Sequence, residues 1–360
     1  MAKIGIYLGT ADENTENITV ELTAWGRYLR QYDLEAFGSA SLPSSTSEYY
    51  TKIETKCRSD RNPFLKIAQA YLDCREYIER RSPDLLVQLG RYRTHGPGIA
   101  IAGRRAGIRV ITRFIGDHFR EHELFSGGRK AGLYLLDNVG RIPLFLSDKM
   151  IVFGPYGRSE VVSRGMAGDD VIIHPPPADV GSEFHPPEDK AAIKRSLDLP
   201  TDRPIALYVG RLRKLKGMAF LAAVITEVTE EKEMSFVLVG EGPYREHLED
   251  RFESDVVRTE GYVPHDRIDA YYKAADLYVH PSSHEGLPLV ILEALRCGVP
   301  VIARRAGDIG FVTPHIVRTP EEMAEMIVGE EWRTVFRNYQ YFSEQYQHRV
   351  LTEAVDELVL

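Results

Sequence analysis

The chain has 360 residues, 43% hydrophobic and 27% charged, enough for two α/β cores that need no disulfides. A net charge of −8 and the lack of a basic recognition motif argue against nucleic acid, and no run of about 18 apolar residues offers a membrane span. Cys57, Cys74 and Cys297 form no C-x-x-C pair, so neither a zinc site nor a redox pair is indicated, and the sparse count fits a reducing, cytoplasmic compartment.

The chain opens on KIGIYLG, an apolar strand without the long apolar stretch of a signal peptide. ENITVELTAWGRYLRQY follows with helical spacing at Val20, Leu22, Trp25 and Leu29. Residues 39–62 begin polar and Ser-rich and read as loop. PFLKIAQAYLDCREYIERR predicts an amphipathic helix with Ile67, Tyr71 and Tyr77 on its apolar side. DLLVQLG, RVITRFIG, SDKMIVFG and DVIIHPP predict short buried strands, with GIAIAGRRAG helical between the first two. Such alternation implies a parallel sheet with helices on both faces.

Residues 175–190, PPPADVGSEFHPPEDK, interrupt this pattern, because proline blocks both helix and central strand. The boundary falls here, with one domain over 1–180 and a second over 190–340. The second repeats the grammar: strands PIALYVG, SFVLVG, VVRTEG, DLYVH and VPVIAR, and helices GMAFLAAVITEV, HDRIDAYYKAA and LPLVILEALRCG. The last forty residues read as helical, and 341–360 is expected to pack back on the first domain. The fold class is α/β: two Rossmann-like domains facing each other across a cleft, with ligands at the carboxyl ends of the strands.

Charge is uneven. Residues 1–185 hold 24 basic against 23 acidic side chains, and the remainder 21 against 30. Arg91, Arg93, Arg104, Arg105, Arg109, Arg113, Arg120, Arg129 and Lys130 form the densest basic stretch. It suits phosphate groups or an anionic membrane face, and equally a solvated mixed surface.

The chemistry concentrates in SSHEGLPLVILEALRCGVPVIAR, residues 282–304. Glu285 follows a strand, Pro288 suits the first turn of a helix, and Glu293 lies inside that helix. Free N–H groups from about Gly286 and Leu287 to Leu289, with Pro288 between them lacking one at no cost, mark a helix start that favours phosphate. Phosphates in the middle with hydroxyls at both ends would suit this layout, as in a nucleotide-sugar. The same two glutamates also read as a capping carboxylate and an exposed helix residue. Upstream, YVGRLRKLKG places Arg211 and Lys216 in a strand-end loop, where a planar fork and a point charge can neutralise a diphosphate. Gly240 and Gly242 in VGEGP allow a tight turn or a close ligand approach.

In that order, the motifs resemble the retaining glycosyltransferases of family 4 (glycosyl transferases group 1), with the GT-B architecture. The likeness is strong over 204–304 and weaker over 84–187. It implies that Arg211 and Lys216 bind the donor diphosphate, Glu293 the ribose hydroxyls and Glu285 the transferred sugar. Backbone N–H groups of Gly286 to Leu289 would support the phosphates. In the first domain, RFIGDHFREHELF places Asp117 and His118 where relatives carry a catalytic histidine or a Gly-Asp pair, while Glu121 and His122 read as surface or acceptor-side residues. Gly9 stands alone where relatives often show two glycines.

No Asp-x-Asp motif occurs, so neither a metal nor another cofactor is expected, only a nucleotide-sugar as substrate. The resemblance also implies a hexose-type donor, a glycolipid, lipid-linked or polysaccharide acceptor, and contact with a cytoplasmic membrane face. A nucleotide-sugar epimerase and a non-catalytic nucleotide-sugar-binding module are the alternatives. Alanine at Lys216 or Glu293 is expected to weaken donor binding with the fold intact.

Overall fold

The computed structural model describes residues 1–10, 15, 18–56, 62–116, 119, 121–177, 183–332 and 336–359. The chain divides into two compact units: Met1–Pro177 with Gln340–Leu360, and Ala178–Tyr339.

The first unit contains β1 (Lys3–Gly9), α1 (Thr19–Tyr28), β2 (Asp33–Gly38), β3 (Thr51–Ile53), α2 (Pro63–Arg81), β4 (Leu85–Gln88) and α3 (Tyr92–Ala106). It continues with β5 (Arg109–Phe114), α4 (Gly127–Val139), α5 (Ile142–Leu146), β6 (Lys149–Val152), α6 (Pro155–Val162) and β7 (Val171–Ile173). Its seven strands run in the order β3-β2-β1-β4-β5-β6-β7, all parallel. Alternate residues of each strand serve opposite faces. Ile4, Ile6 and Leu8 meet Leu22 and Trp25 of α1, whereas Tyr7 faces Ala70, Cys74 and Tyr77 of α2.

Two strands of this unit were not legible in the sequence. β3 lies within residues 39–62, read as loop, and has only three residues. β2 is hidden by Glu35, a charge in mid-strand that is fully buried. Its carboxylate accepts hydrogen bonds from the Tyr77 hydroxyl at 2.8 Å and Arg81 Nε at 2.9 Å. An ionised group so buried is tolerated only when its lone pairs are met in this way. Both donors come from α2, whose buried face is Lys66, Ala70, Asp73, Cys74 and Tyr77; Ile67 and Tyr71 are only half-buried. Of the three positions that apolar spacing indicated, Tyr77 lies on the buried face, while the helix is turned away from Ile67 and Tyr71. Polar contacts, including the Tyr7 hydroxyl on Asp73 at 3.0 Å, fix that rotation.

The basic stretch over 91–130 does not form one unpaired face. Arg113 is buried, donating to the Leu89 carbonyl at 2.6 Å and to Glu21 at 2.9 Å. Arg93 pairs with Asp137 and Arg109 with Asp148, and the Arg129 guanidinium lies over the Phe125 ring. Arg120 lies outside the described residues.

The second unit holds α7 (Lys190–Ser196), β8 (Ile205–Val209), α8 (Met218–Glu231), β9 (Ser235–Val239), α9 (Arg245–Arg251) and β10 (Val257–Gly261). After these come α10 (His265–Ala274), β11 (Leu277–His280), α11 (Leu289–Arg296), β12 (Val301–Arg304), β13 (Ile316–Val317) and α12 (Pro320–Val328). Its six parallel strands run β10-β9-β8-β11-β12-β13. Strand order reverses between β8 and β11, and this opens a crevice at their carboxyl ends. The chain then returns to the first unit, where α13 (Glu344–Val359) sets Leu351 and Val355 into the core beside α1. No helix among the described residues is long and apolar enough to cross a membrane.

His174, just past β7, is 2% exposed, with its ring edge-on to Trp25 at 6.0 Å. Burial pushes its pKa down to about 4. An unfolded imidazole titrates near 6.5, so on acidification the unfolded chain takes the proton first. Stability therefore falls between about pH 6.5 and pH 4, by up to roughly 3 kcal/mol from this group. Urea unfolding across that range should show the loss, and His174→Gln should flatten it; an unchanged slope in the variant would contradict the buried neutral ring.

Candidate functional site

The loops that leave β8 and β11 meet at the reversal point of the second sheet. The β8 loop carries Arg211 and ends in a 3-10 turn, Lys214–Lys216, closed by Gly217 at φ +80°. A Cβ at Gly217 would lie 2.2 Å from the Pro281 carbonyl oxygen, so only glycine lets this loop close against the one after β11. The β11 loop is clamped from its other side. A Cβ at Gly307 would come within 2.3 Å of the Glu285 carbonyl oxygen, and the Asp308 N–H donates to the Gly286 carbonyl at 2.9 Å. Gly240 and Gly242 act in the same way, since their main chain packs on Gly210 and Leu212 of the β8 loop.

This clamping brings Lys216 Nζ to 2.6 Å from Glu285 Oε1. The Lys216 side chain is 31% exposed and that of Glu285 14%, so the pair sits at a partly desolvated rim. His280, the last residue of β11, stands behind it with Nε2 at 3.8 Å from the same oxygen. Burial pushes the His280 imidazole down to about 4 against the pull of Glu285, so it is neutral near pH 7. Neither His280 nitrogen, nor the Ser282 hydroxyl, has a hydrogen-bond partner among the described residues. Sequence reasoning passed over His280, although its place at a strand end three residues before Ser283 was visible.

Glu293 lies on α11, eight residues after Glu285, and is 5% exposed. That excludes the exposed-helix reading. Its Oε2 accepts from the buried Tyr272 hydroxyl at 2.7 Å, and Oε1 lies 3.5 Å from His265 Nε2 at the start of α10. The hydrogen bond to this carboxylate raises the His265 pKa. Pro288 is the N-cap of α11 and not a residue of its first turn, so the helix opens at Leu289. Arg211 is exposed, and its carbonyl accepts from the Tyr208 hydroxyl at 3.2 Å. The second unit thus gathers Arg211, Lys216, Glu285 and the N-terminus of α11 around one strand-end crevice. Glu293 lies one helical stretch further on, facing α10.

In the first unit, Gly9 ends β1 with φ +104°, and its carbonyl accepts from Ser39 and Ala40 N–H, both at 3.1 Å. Asp117 and His118 lie outside the described residues. Among the described residues no group of three His, Cys, Asp or Glu is disposed to hold a metal ion.

Residues 203–329, roughly a third of the chain, match the family model described as glycosyl transferases group 1. The chain is 34% identical over 156 residues to the putative teichuronic acid biosynthesis glycosyltransferase TuaC of Bacillus subtilis, covering 42% of this chain and 39% of that protein. It is 31% identical over 173 residues to 2-deoxystreptamine N-acetyl-D-glucosaminyltransferase of Streptomyces fradiae, covering 44% and 41%. The chain spans about half or less of the length of these curated relatives. Among solved structures it is similar to Anabaena Alr3699/HepE in complex with UDP and glucose, with TM-score 0.71 and 16% identity over 99% of this chain and 100% of that one. It is also similar to sucrose-phosphate synthase (tll1590) of Thermosynechococcus elongatus, with TM-score 0.71 and 20% identity over 100% and 95%. At such identities the likeness is one of fold, and that fold is GT-B: two Rossmann-like α/β domains.

The burial of Glu293 changes what its replacement should do. Glu293→Ala leaves the Tyr272 hydroxyl buried without an acceptor and is expected to cost about 1–3 kcal/mol of stability. Glu293→Gln keeps a carbonyl for Tyr272 and should cost about 1 kcal/mol or less. Urea melts of the two variants check this; equal stabilities would mean that the Tyr272 hydrogen bond contributes nothing.

Proposed function

We propose that the chain is a retaining glycosyltransferase that binds a nucleoside-diphosphate sugar on its second unit and passes a hexose-type sugar to a hydroxyl acceptor. One observation carries the reading: Lys216 and Glu285, from loops on either side of the sheet's reversal point, meet at 2.6 Å beside the N-terminus of α11. An ammonium, a carboxylate and free helix N–H groups together can grip a diphosphate and a sugar hydroxyl. The family match over 203–329 supports the same chemistry.

In this reading Arg211, Lys216 and the main-chain N–H groups of Gly286, Leu287 and Leu289 take the diphosphate, and Pro288 sets the start of the helix. These groups stabilise the leaving nucleoside diphosphate as its negative charge grows, with no metal required. A diphosphate draws the Lys216 ammonium away from Glu285 and frees that carboxylate for a hydroxyl of the transferred sugar. Glu293 and His265 meet the ribose, and Gly9 lets the first loop approach the phosphates. Asp117 or His118 acts beside the reacting carbon, and the acceptor attacks from the face the leaving group vacates, so the anomeric configuration is kept. The acceptor is lipid-linked or a polysaccharide, and the enzyme works in the cytoplasm at a membrane face.

A thermal-shift screen with UDP-, GDP- and ADP-glucose tests the donor. A ligand at a hundred times its Kd stabilises by about 2.7 kcal/mol, so one nucleotide should raise Tm clearly above the others. Lys216→Ala should weaken that donor's binding about tenfold or more, and Glu285→Ala should lower kcat at least as much as affinity. Wild-type behaviour in both variants would end the proposal. The anomeric configuration of the product, read by NMR, tests retention separately.

A further inference from the structure

Past the end of β5 the chain turns through a 3-10 segment, Glu121–Leu124, before entering α4. Three elements of the first unit converge there. Asp137 on α4 is 3% exposed. One of its oxygens lies 2.8 Å from an Arg93 nitrogen on α3, and the other 2.7 Å from His122 Nδ1. Tyr134, one turn earlier on α4, stands edge-on to the His122 ring with centroids 5.2 Å apart, and is itself 57% exposed.

The chemistry of this group is specific. An ionised carboxylate accepts and never donates, so His122 Nδ1 carries the proton it gives to Asp137. With Nδ1 engaged by a buried partner, Nε2 is the ring nitrogen left to meet a ligand, and the ring's orientation is held. Arg93 holds that partner in place from the other side. Beside this nitrogen lies an exposed aromatic ring, and both belong to the segment that follows the carboxyl end of β5, His122 in the 3-10 turn and Tyr134 on α4, the end of the sheet where open α/β folds bind their ligands. A directed ring nitrogen next to an aromatic ring matches a sugar, which offers hydroxyls around its edge and C–H groups on its faces.

We propose that His122, Asp137 and Tyr134 form a carbohydrate subsite for the acceptor. His122 Nε2 accepts a hydrogen bond from a ring hydroxyl, and Tyr134 packs against the ring. Asp137 and Arg93 are positioning residues behind them. The inference rests on the glycosyltransferase reading in taking the bound sugar to be the acceptor, and none of His122, Tyr134, Asp137 and Arg93 is among the groups assigned there to the donor.

The test uses the full chain labelled with 15N at histidine, titrated with methyl α-D-glucopyranoside, methyl β-D-galactopyranoside and N-acetylglucosamine. Free protein should show His122 with the proton on Nδ1, and at least one glycoside should shift its Nε2 resonance. His122→Ala and Tyr134→Ala should each weaken that binding about tenfold. His122→Gln, which keeps an acceptor in reach, should recover part of it. Asp137→Asn, whose amide donates to Nδ1 and forces the proton onto Nε2, should abolish the His122 shift; if it does not fold, the other variants still decide. The proposal is overturned if none of the three glycosides perturbs His122, or if binding is indifferent to His122 and Tyr134. A nucleotide-sugar thermal shift that survives His122→Ala while glycoside binding is lost supports the subsite. A subsite that binds glycoside while no nucleotide-sugar raises Tm would instead count against the donor reading.

Discussion

Glu285 is held from two directions by main chain alone: Gly307 presses on its carbonyl, and Gly217 lets the β8 loop close on the neighbouring Pro281. Everything at the second unit's crevice follows from that contact. It sets the carboxylate within reach of Lys216, places His280 behind it and aims the opening of α11 toward the same space. A Cβ at either glycine would meet main-chain oxygen at 2.2–2.3 Å, so a side chain there would force the loops apart. The site is thus built from backbone approach first and side-chain chemistry second.

The charges tolerated inside the protein follow a common rule. Glu35, Arg113 and Asp137 are all nearly or fully buried, and each is surrounded by donors or acceptors from neighbouring elements. Two of these groups tie the sheet of the first unit to its helices and loops: Glu35 to α2, and Arg113 to Glu21 of α1 and the loop after β4. Glu293 does the same in the second unit, joining α11 to α10 through Tyr272. A carboxylate that satisfies a buried hydroxyl is part of the fold, which is why alanine there is a blunt probe and glutamine a sharper one.

His280 and His122 illustrate how environment divides the work of one residue type. His280 is buried, kept neutral by desolvation, and faces a carboxylate that already has Lys216. His122 is only half-buried and has a carboxylate of its own on Nδ1, which orients the ring. The first shapes the setting of Glu285 from behind, and the second, in the turn that leads into α4, is oriented by Asp137.

By itself, the sequence determined the two-unit α/β class, most of the buried strands and the order of Arg211, Lys216, Glu285 and Glu293, because apolar runs, glycine-closed turns and motif spacing are local properties of a chain. It did not disclose β2, since the charge of Glu35 reads as exposure until Tyr77 and Arg81, more than forty residues away, supply its partners. Nor did it show that α2 buries Lys66 and Asp73 in place of Ile67 and Tyr71, or that much of a basic stretch is neutralised by Glu21, Asp137 and Asp148. Glu293 looked equally like an exposed helix residue. Only the tertiary structure decided these points, for one reason: whether a charged group is buried, and what it then does, depends on partners that the fold brings from distant parts of the chain.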